Sequence, residues 1–133
     1  MTGKTNLEDI VKEMNPILNN GEYVFVSVKD VSKIKREETI CEFKEKEGTA
    51  IIIEKSRADE LNLKYEFVAS WITLEVHSSL EAVGLTALFS QELAKHEILC
   101  NVIAGYFHDH IFVDTKNAEK AISVLHQLSR NYE

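Results

Sequence analysis

Residues of the kinds that bind or transfer charge crowd into one stretch of this chain, residues 77–113. The stretch opens as His77-Ser-Ser-Leu-Glu-Ala-Val-Gly-Leu85 and closes with Gly105-Tyr-Phe-His-Asp-His-Ile111. Gly84 falls in the first turn of an expected helix, residues 82–97, where backbone N–H groups lack partners and the helix dipole is positive. A carboxylate could dock on the amides of Ala82, Val83, Gly84 and Leu85, because a missing Cβ permits close approach. The alternative is a glycine that only allows tight packing of helix on sheet. Ser78 and Glu81 have capping-box spacing, which is the favoured role for both, although Glu81 could also reach a cationic ligand side chain. Asp109 shares an expected strand face with Phe107, Ile111 and Val113, and a carboxylate heading an apolar face needs a partner. An ammonium group is one candidate; neighbouring turn amides are the other.

The remaining polar residues carry weaker signals. His108 and His110 stand two apart, so a strand would place both on one face with Phe112. With His77 they could form a three-imidazole metal site, but no cysteine or acid has a confirming spacing. A pocket rim or a subunit contact is the plainer role, and no metal or cofactor is expected. Asn101 and Tyr106 could add polar contacts at strand ends, and carbonyls of Val102, Ile103 and Ala104 could accept from a ligand. Cys100 points inward with Ile98 and Val102 and has no placed base, so it is not expected to act as a nucleophile. An enzyme is not expected, because no nucleophile–base pair or carboxylate pair stands out.

Elements that would position these residues can be read along the chain. Thr5 and Glu8 have capping-box spacing, and Leu7, Ile10, Val11 and Met14 repeat with helical period up to Pro16, where that helix should stop. Asn19-Asn-Gly21 reads as a turn, residues 22–28 as a strand, and 29–38 as a charged loop. Residues 39–45 and 49–54 read as a hairpin around Gly48, followed by a short helix from Ser56 to about Leu63. A long strand is expected over 65–77, kinked near Ala69-Ser70, with Trp71 anchoring the junction between halves. The helix 82–97 would bury Leu85, Leu88, Phe89 and Leu93. Residues 98–104 and 106–113 read as an antiparallel pair joined at Gly105. Asp114 or Thr115 can cap a last helix to about Ser129, with Ala118, Ala121, Ile122, Leu125 and Leu128 inward. Hairpins mixed with single crossovers point to α+β, with antiparallel sheets and helices on one face, in a ferredoxin-like plan.

Composition narrows the partners. The chain has 133 residues, enough for one domain or two small halves sharing a core. Its fifteen Lys and Arg are outnumbered by twenty-two acids, for a net charge of −7, which disfavours nucleic acid and anionic membrane surfaces. No apolar run approaches the roughly 20 residues that span a bilayer, and the N-terminus has no apolar signal core. Two cysteines, Cys41 and Cys100, in strand-like contexts fit a reduced cytoplasmic protein.

The segment from Trp71-Ile-Thr-Leu-Glu-Val-His to Phe89, then Leu93 through Ala104-Gly-Tyr-Phe-His-Asp-His-Ile-Phe-Val113, resembles the ACT domain. Met14-Asn-Pro-Ile-Leu18 followed by Gly21-Glu-Tyr-Val-Phe25 is similar to the N-terminal half of a bacterial group of short tandem ACT-like proteins. The C-terminal pattern also looks similar to the ACT units of eukaryotic cytosolic arginine sensors. The resemblance implies two βαββαβ halves, residues 1–69 and 70–133, that pair through sheets or helices and bind amino acids at unit interfaces. It implies that Gly84 receives the ligand carboxylate and that an acid at the place of Asp109 contacts the ligand. The C-terminal half lacks a fourth strand and the N-terminal half a first one, so strand exchange between halves would repair both. The N-terminal half has no glycine-bearing strand-to-helix turn, so one site per chain is expected. The expected function is a non-catalytic regulatory module that binds an amino acid and forms a homodimer. The rivals are an interaction module without a ligand and a metal-responsive protein using His77, His108 and His110.

Overall fold

Leu7, Ile10, Val11 and Met14 recur with the spacing of one helix face, and residues Leu7–Glu13 form that helix, α1, with Ile10 and Val11 fully buried. The computed structural model describes residues 7–75 and 84–131, which divide into two compact units. The large unit joins residues 1–19 to 70–133, and the small unit is residues 20–69. The chain-order halves 1–69 and 70–133 thus differ from the spatial units in where residues 1–19 belong.

In the large unit α1 is followed by β1, Asn15–Leu18, a strand where only a helix stop was expected. It pairs antiparallel with β5, Val68–Glu75, in a register that sets Asn15 opposite Glu75 and Leu18 opposite Ile72. β1 sits at a sheet edge, where the missing N–H of Pro16 costs no ladder bond. Beyond β5 come α3, Leu85–Lys95, then the hairpin β6, Cys100–Ala104, and β7, Asp109–Asp114, then a 3₁₀ turn and α4, Ala118–Asn131. β7 lies between β5 and β6, so the strand order is β1-β5-β7-β6. That is the split βαβ arrangement of a ferredoxin-like unit, with the amino-terminal β1 serving as the fourth strand.

Ile72 and Leu74 of β5 and Ile111 and Val113 of β7 share a core with Ile10, Phe89, Leu93, Ala121 and Leu125 from the three helices. Alternation along each strand sends one residue in two into this helix layer. The α4 pattern holds as expected in Ala118, Ala121 and Leu125, which are buried, while Ile122 and Leu128 are partly buried against the core. Asp114 accepts from the Lys116 N–H at 3.1 Å and caps the entry to α4.

The small unit keeps the same strand plan with one α-helix against the three of the large unit. β2, Tyr23–Val28, pairs with β4, Gly48–Glu54, which pairs with β3, Thr39–Glu45. Val68 and Ala69, the first residues of β5, add to the other side of β2. The crossover from β2 to β3 is a charged loop ending in a 3₁₀ turn at Arg36–Glu38, and the second crossover is the short helix α2, Lys55–Glu60. Val24, Val26, Ile51, Ile53 and Ala58 form its core.

Helices α2 and α3 end in the same way. Asn62 and Glu97 adopt left-handed backbone, with φ of 56° and 60°. Leu63 N–H returns to the Ala58 carbonyl at 2.9 Å, and Ile98 N–H to that of Leu93 at 3.0 Å. Both are Schellman ends without glycine.

Candidate functional site

Strand directions bring the expected site residues to one end of the large unit. Thr73 reaches His110 while Ser70 reaches Thr115, so β5 and β7 run antiparallel. β6 is therefore parallel to β5, and α3 runs back from the end where β5 stops to the end where β6 starts. The N-terminus of α3 and the β6–β7 turn lie at the same end of the sheet.

Gly84 is the N-cap of α3 rather than a first-turn residue, and its φ of 93° is left-handed. Glycine is required there for its backbone, since an L side chain at that φ is strained. The Leu88 N–H bonds to the Gly84 carbonyl at 2.9 Å, and no side chain caps this helix among the described residues. The amides without intrahelical partners are those of Gly84, Leu85, Thr86 and Ala87, a shift from the expected 82–85. Leu85 itself is buried in the core. Ser78, Glu81, Ala82 and Val83, together with His77, lie outside the described residues.

Asp109 begins β7 opposite Ala104 and, by alternation, belongs to the face of Ile111 and Val113. Its half-buried carboxyl has no hydrogen bond or ion pair among the described residues. Burial pushes its pKa up, and the neighbouring His110 works in the opposite direction. Val102 packs on the core with Cys100, whose thiol is pushed up to about 11 by burial.

The other polar residues divide away from Asp109. The β6–β7 connection is a four-residue turn, 105–108, closed by the Gly105 N–H to the His108 carbonyl at 2.9 Å. His108 therefore lies in the turn, and the expected pairing of His108 with His110 on one strand face is corrected. Phe107 also belongs to the turn and does not share the Asp109 face. Tyr106 is 78% exposed and rests edge-to-face on Phe107 at 5.0 Å. His108 Nδ1 is enclosed without a partner among the described residues. Asn101 and Ile103 pair with Phe112 and His110, which puts them on the sheet face away from the helices. No cluster of three metal-ligating side chains occurs among the described residues.

That outer face holds a network that sequence reading missed. Trp71 Nε1 donates to His110 Nδ1 at 3.0 Å, and Thr73 Oγ1 lies 3.2 Å from the same nitrogen. Asn19 Nδ2 donates to Thr73 Oγ1 at 3.0 Å and to the Trp71 carbonyl at 3.2 Å. Trp71 also stacks on Phe112, with ring centroids 6.0 Å apart. The shared alternation of 71 and 73 with 110 and 112 was the available signal. In the small unit, Phe25, Leu63, Lys64, Tyr65, Glu66 and Phe67 line an open groove of about 720 Å³.

Two ACT-domain family models match the sequence, one over residues 2–70 and one over residues 66–127. The chain belongs to the ACT-domain family. It is a tandem of two ACT units, and ACT units are regulatory modules. A crystal structure of a Vibrio cholerae protein of unknown function, described as a possible transport protein, is 41% identical, covering 94% of this chain and 97% of that one, with a TM-score of 0.84. An Agrobacterium tumefaciens protein, 15% identical over 87% of this chain and 89% of its own, has a TM-score of 0.66. The ligand-free regulatory subunit of aspartate kinase from Thermus thermophilus, 12% identical over 89% of this chain and 97% of its own, has a TM-score of 0.58. These last two show the shared fold. No functionally curated protein matches the sequence. Among the described residues, no helix is long and apolar enough to cross a membrane.

Proposed function

We propose that this tandem ACT protein is a non-catalytic regulatory module that binds a free amino acid in its large unit. The observation that carries the reading is Asp109: a half-buried carboxylate with no partner among the described residues, at the sheet end where α3 begins. A charge held there without a partner is costly, and a ligand ammonium would remove that cost. The ligand carboxylate would lie on the uncapped amides of Gly84, Leu85, Thr86 and Ala87, where dipole and donors both favour an anion. The Ala104 carbonyl, across the ladder from Asp109, is a further acceptor for the ammonium. Ser78, Glu81, Tyr106 and His108 would border the ligand side chain, whereas Asn101, Ile103 and His110 belong to the opposite face. Binding at such a site would tighten a homodimer, and this coupling would be its regulatory output. The net charge of −7 argues against nucleic acid as the partner.

Thermal melting against each of the twenty amino acids, and against divalent metals with a chelator control, tests the reading. A specific amino acid should raise the midpoint by several degrees, and Asp109→Ala should lose that rise. No rise with any amino acid would favour an interaction module without a ligand. A rise with metal that the chelator reverses would favour the metal-responsive alternative.

A further inference from the structure

His110 Nδ1 has two polar neighbours, and the one that can only donate fixes its chemistry. The Trp71 indole N–H can only donate, so Nδ1 must carry a lone pair and the proton of the neutral ring must sit on Nε2. The Asn19 amide donates to the Thr73 oxygen, which leaves the Thr73 hydroxyl proton free to turn toward the same Nδ1. Nε2 lies on the side of Gly105, 3.1 Å from where a Cβ would stand, so the glycine leaves room for the ring beside the hairpin turn. One imidazole thus ties β7 to β5, and through Thr73 to Asn19 at the end of β1.

We propose that His110 is a proton-operated switch that exchanges Trp71 for Thr73 as its hydrogen-bond partner. A proton taken up at Nδ1 turns that nitrogen from acceptor to donor. The indole N–H then faces a donor and must leave. The Thr73 oxygen, which has a second lone pair, accepts the new N–H while keeping the Asn19 bond. One N–H bond forms at Nδ1 with a proton from solvent, and no other covalent bond changes. Protonation would break the hydrogen bond from the Trp71 indole to His110 and loosen the base of the 105–108 turn.

The surroundings favour the neutral state. Burial pushes the His110 pKa down, His108 from the turn adds to that, and Asp109 opposes it. Glu75 belongs to the same face of β5 by alternation and is exposed; the neighbours from β1 and β6, Ile17, Asn101 and Ile103, carry no charge. The switch would therefore operate on the acid side of an ordinary histidine.

Trp71 is the only tryptophan in the chain, so its fluorescence reports this contact without labelling. Emission should change through one protonation step with a midpoint below the usual histidine value of about 6.5, with the far-ultraviolet circular dichroism unchanged. His110→Asn, whose side-chain oxygen can still accept from the indole, should abolish the step. Thr73→Val removes the second acceptor and should move the midpoint to lower pH. A flat wild-type titration, a step retained in His110→Asn, or an unmoved midpoint in Thr73→Val would overturn the switch. Ring ¹⁵N shifts of wild-type His110 at pH 8 give a check that needs no variant: the Nε2–H tautomer supports the switch, and the Nδ1–H tautomer overturns it.

Discussion

The two ACT units share a strand plan and differ in their first crossover. In the large unit that crossover ends in the helix α3, whose N-terminus has no side-chain cap among the described residues. In the small unit it is a charged loop ending at Arg36–Glu38, and Glu38 is paired with Arg57 of α2. That ion pair holds the Glu38 carboxyl below its ordinary range, with the Arg57 hydrogen bond as the main cause. Asp109 of the large unit is displaced the other way by burial. A crossover that forms a full helix leaves four backbone donors at its start without intrahelical partners. A crossover that stays a loop can bend its charges onto neighbours and satisfies them within the unit. Polar groups left incomplete, rather than polar groups as such, separate the unit proposed to bind from the unit proposed as scaffold.

Core and surface substitutions test the comparison most strongly. Phe89 of α3 is fully buried, and Phe89→Ala should cost about 3–5 kcal/mol in chemical denaturation. Phe43 of β3 is 69% exposed, and its replacement by alanine should stay within about 0.5 kcal/mol. Equal effects would mean that the two units do not differ in how their crossovers cover the sheet. Gly84→Ala comes next: at φ of 93° a Cβ is strained and would stand 3.3 Å from Leu7 Cδ2. The same denaturation experiment should show a loss of about 1–3 kcal/mol.

Smaller effects sharpen the assignment of the site. Arg57→Met removes an ion pair that is partly exposed, so the loss of stability should be small, and any amino-acid-induced rise in melting temperature should be unchanged. Asp109→Asn should do the reverse, raising ligand-free stability at neutral pH by about 0.5 kcal/mol while abolishing the ligand response. The sign follows from linkage. An acid whose folded pKa is raised gives stability that is full below its unfolded value and is lost as pH rises through the folded value. Melting temperatures of wild type and Asp109→Asn should therefore converge as pH falls through the carboxylate range. A gap that widens toward acid would contradict the buried, unpaired carboxylate.

Segments with a single clear period were legible in the sequence. Tyr23–Val28, the β3–β4 hairpin and α4 alternate or repeat over enough residues for burial on one face to dictate their form. β1 was not legible, because four residues around a proline carry no period of their own; their strand form comes from pairing with β5. α3 starts at Leu85 rather than Ala82, since the left-handed Gly84 fixes the entry and helical period alone does not show it. The shared face of Asp109, Ile111 and Val113 could be read from alternation within β7. Extending that alternation back to His108 failed because the chain turns at 105–108. His110 is far in sequence from Trp71 and Thr73, and only the register of β5 against β7 brings the two to its Nδ1.

Amide chemical-shift mapping during titration with the amino acid that most raises the melting temperature tests the central claim directly. The account predicts the largest changes at Gly84, Leu85, Thr86, Ala87 and Asp109, with the small unit unaffected. Changes centred on the groove of Phe25, Tyr65 and Phe67 would contradict it.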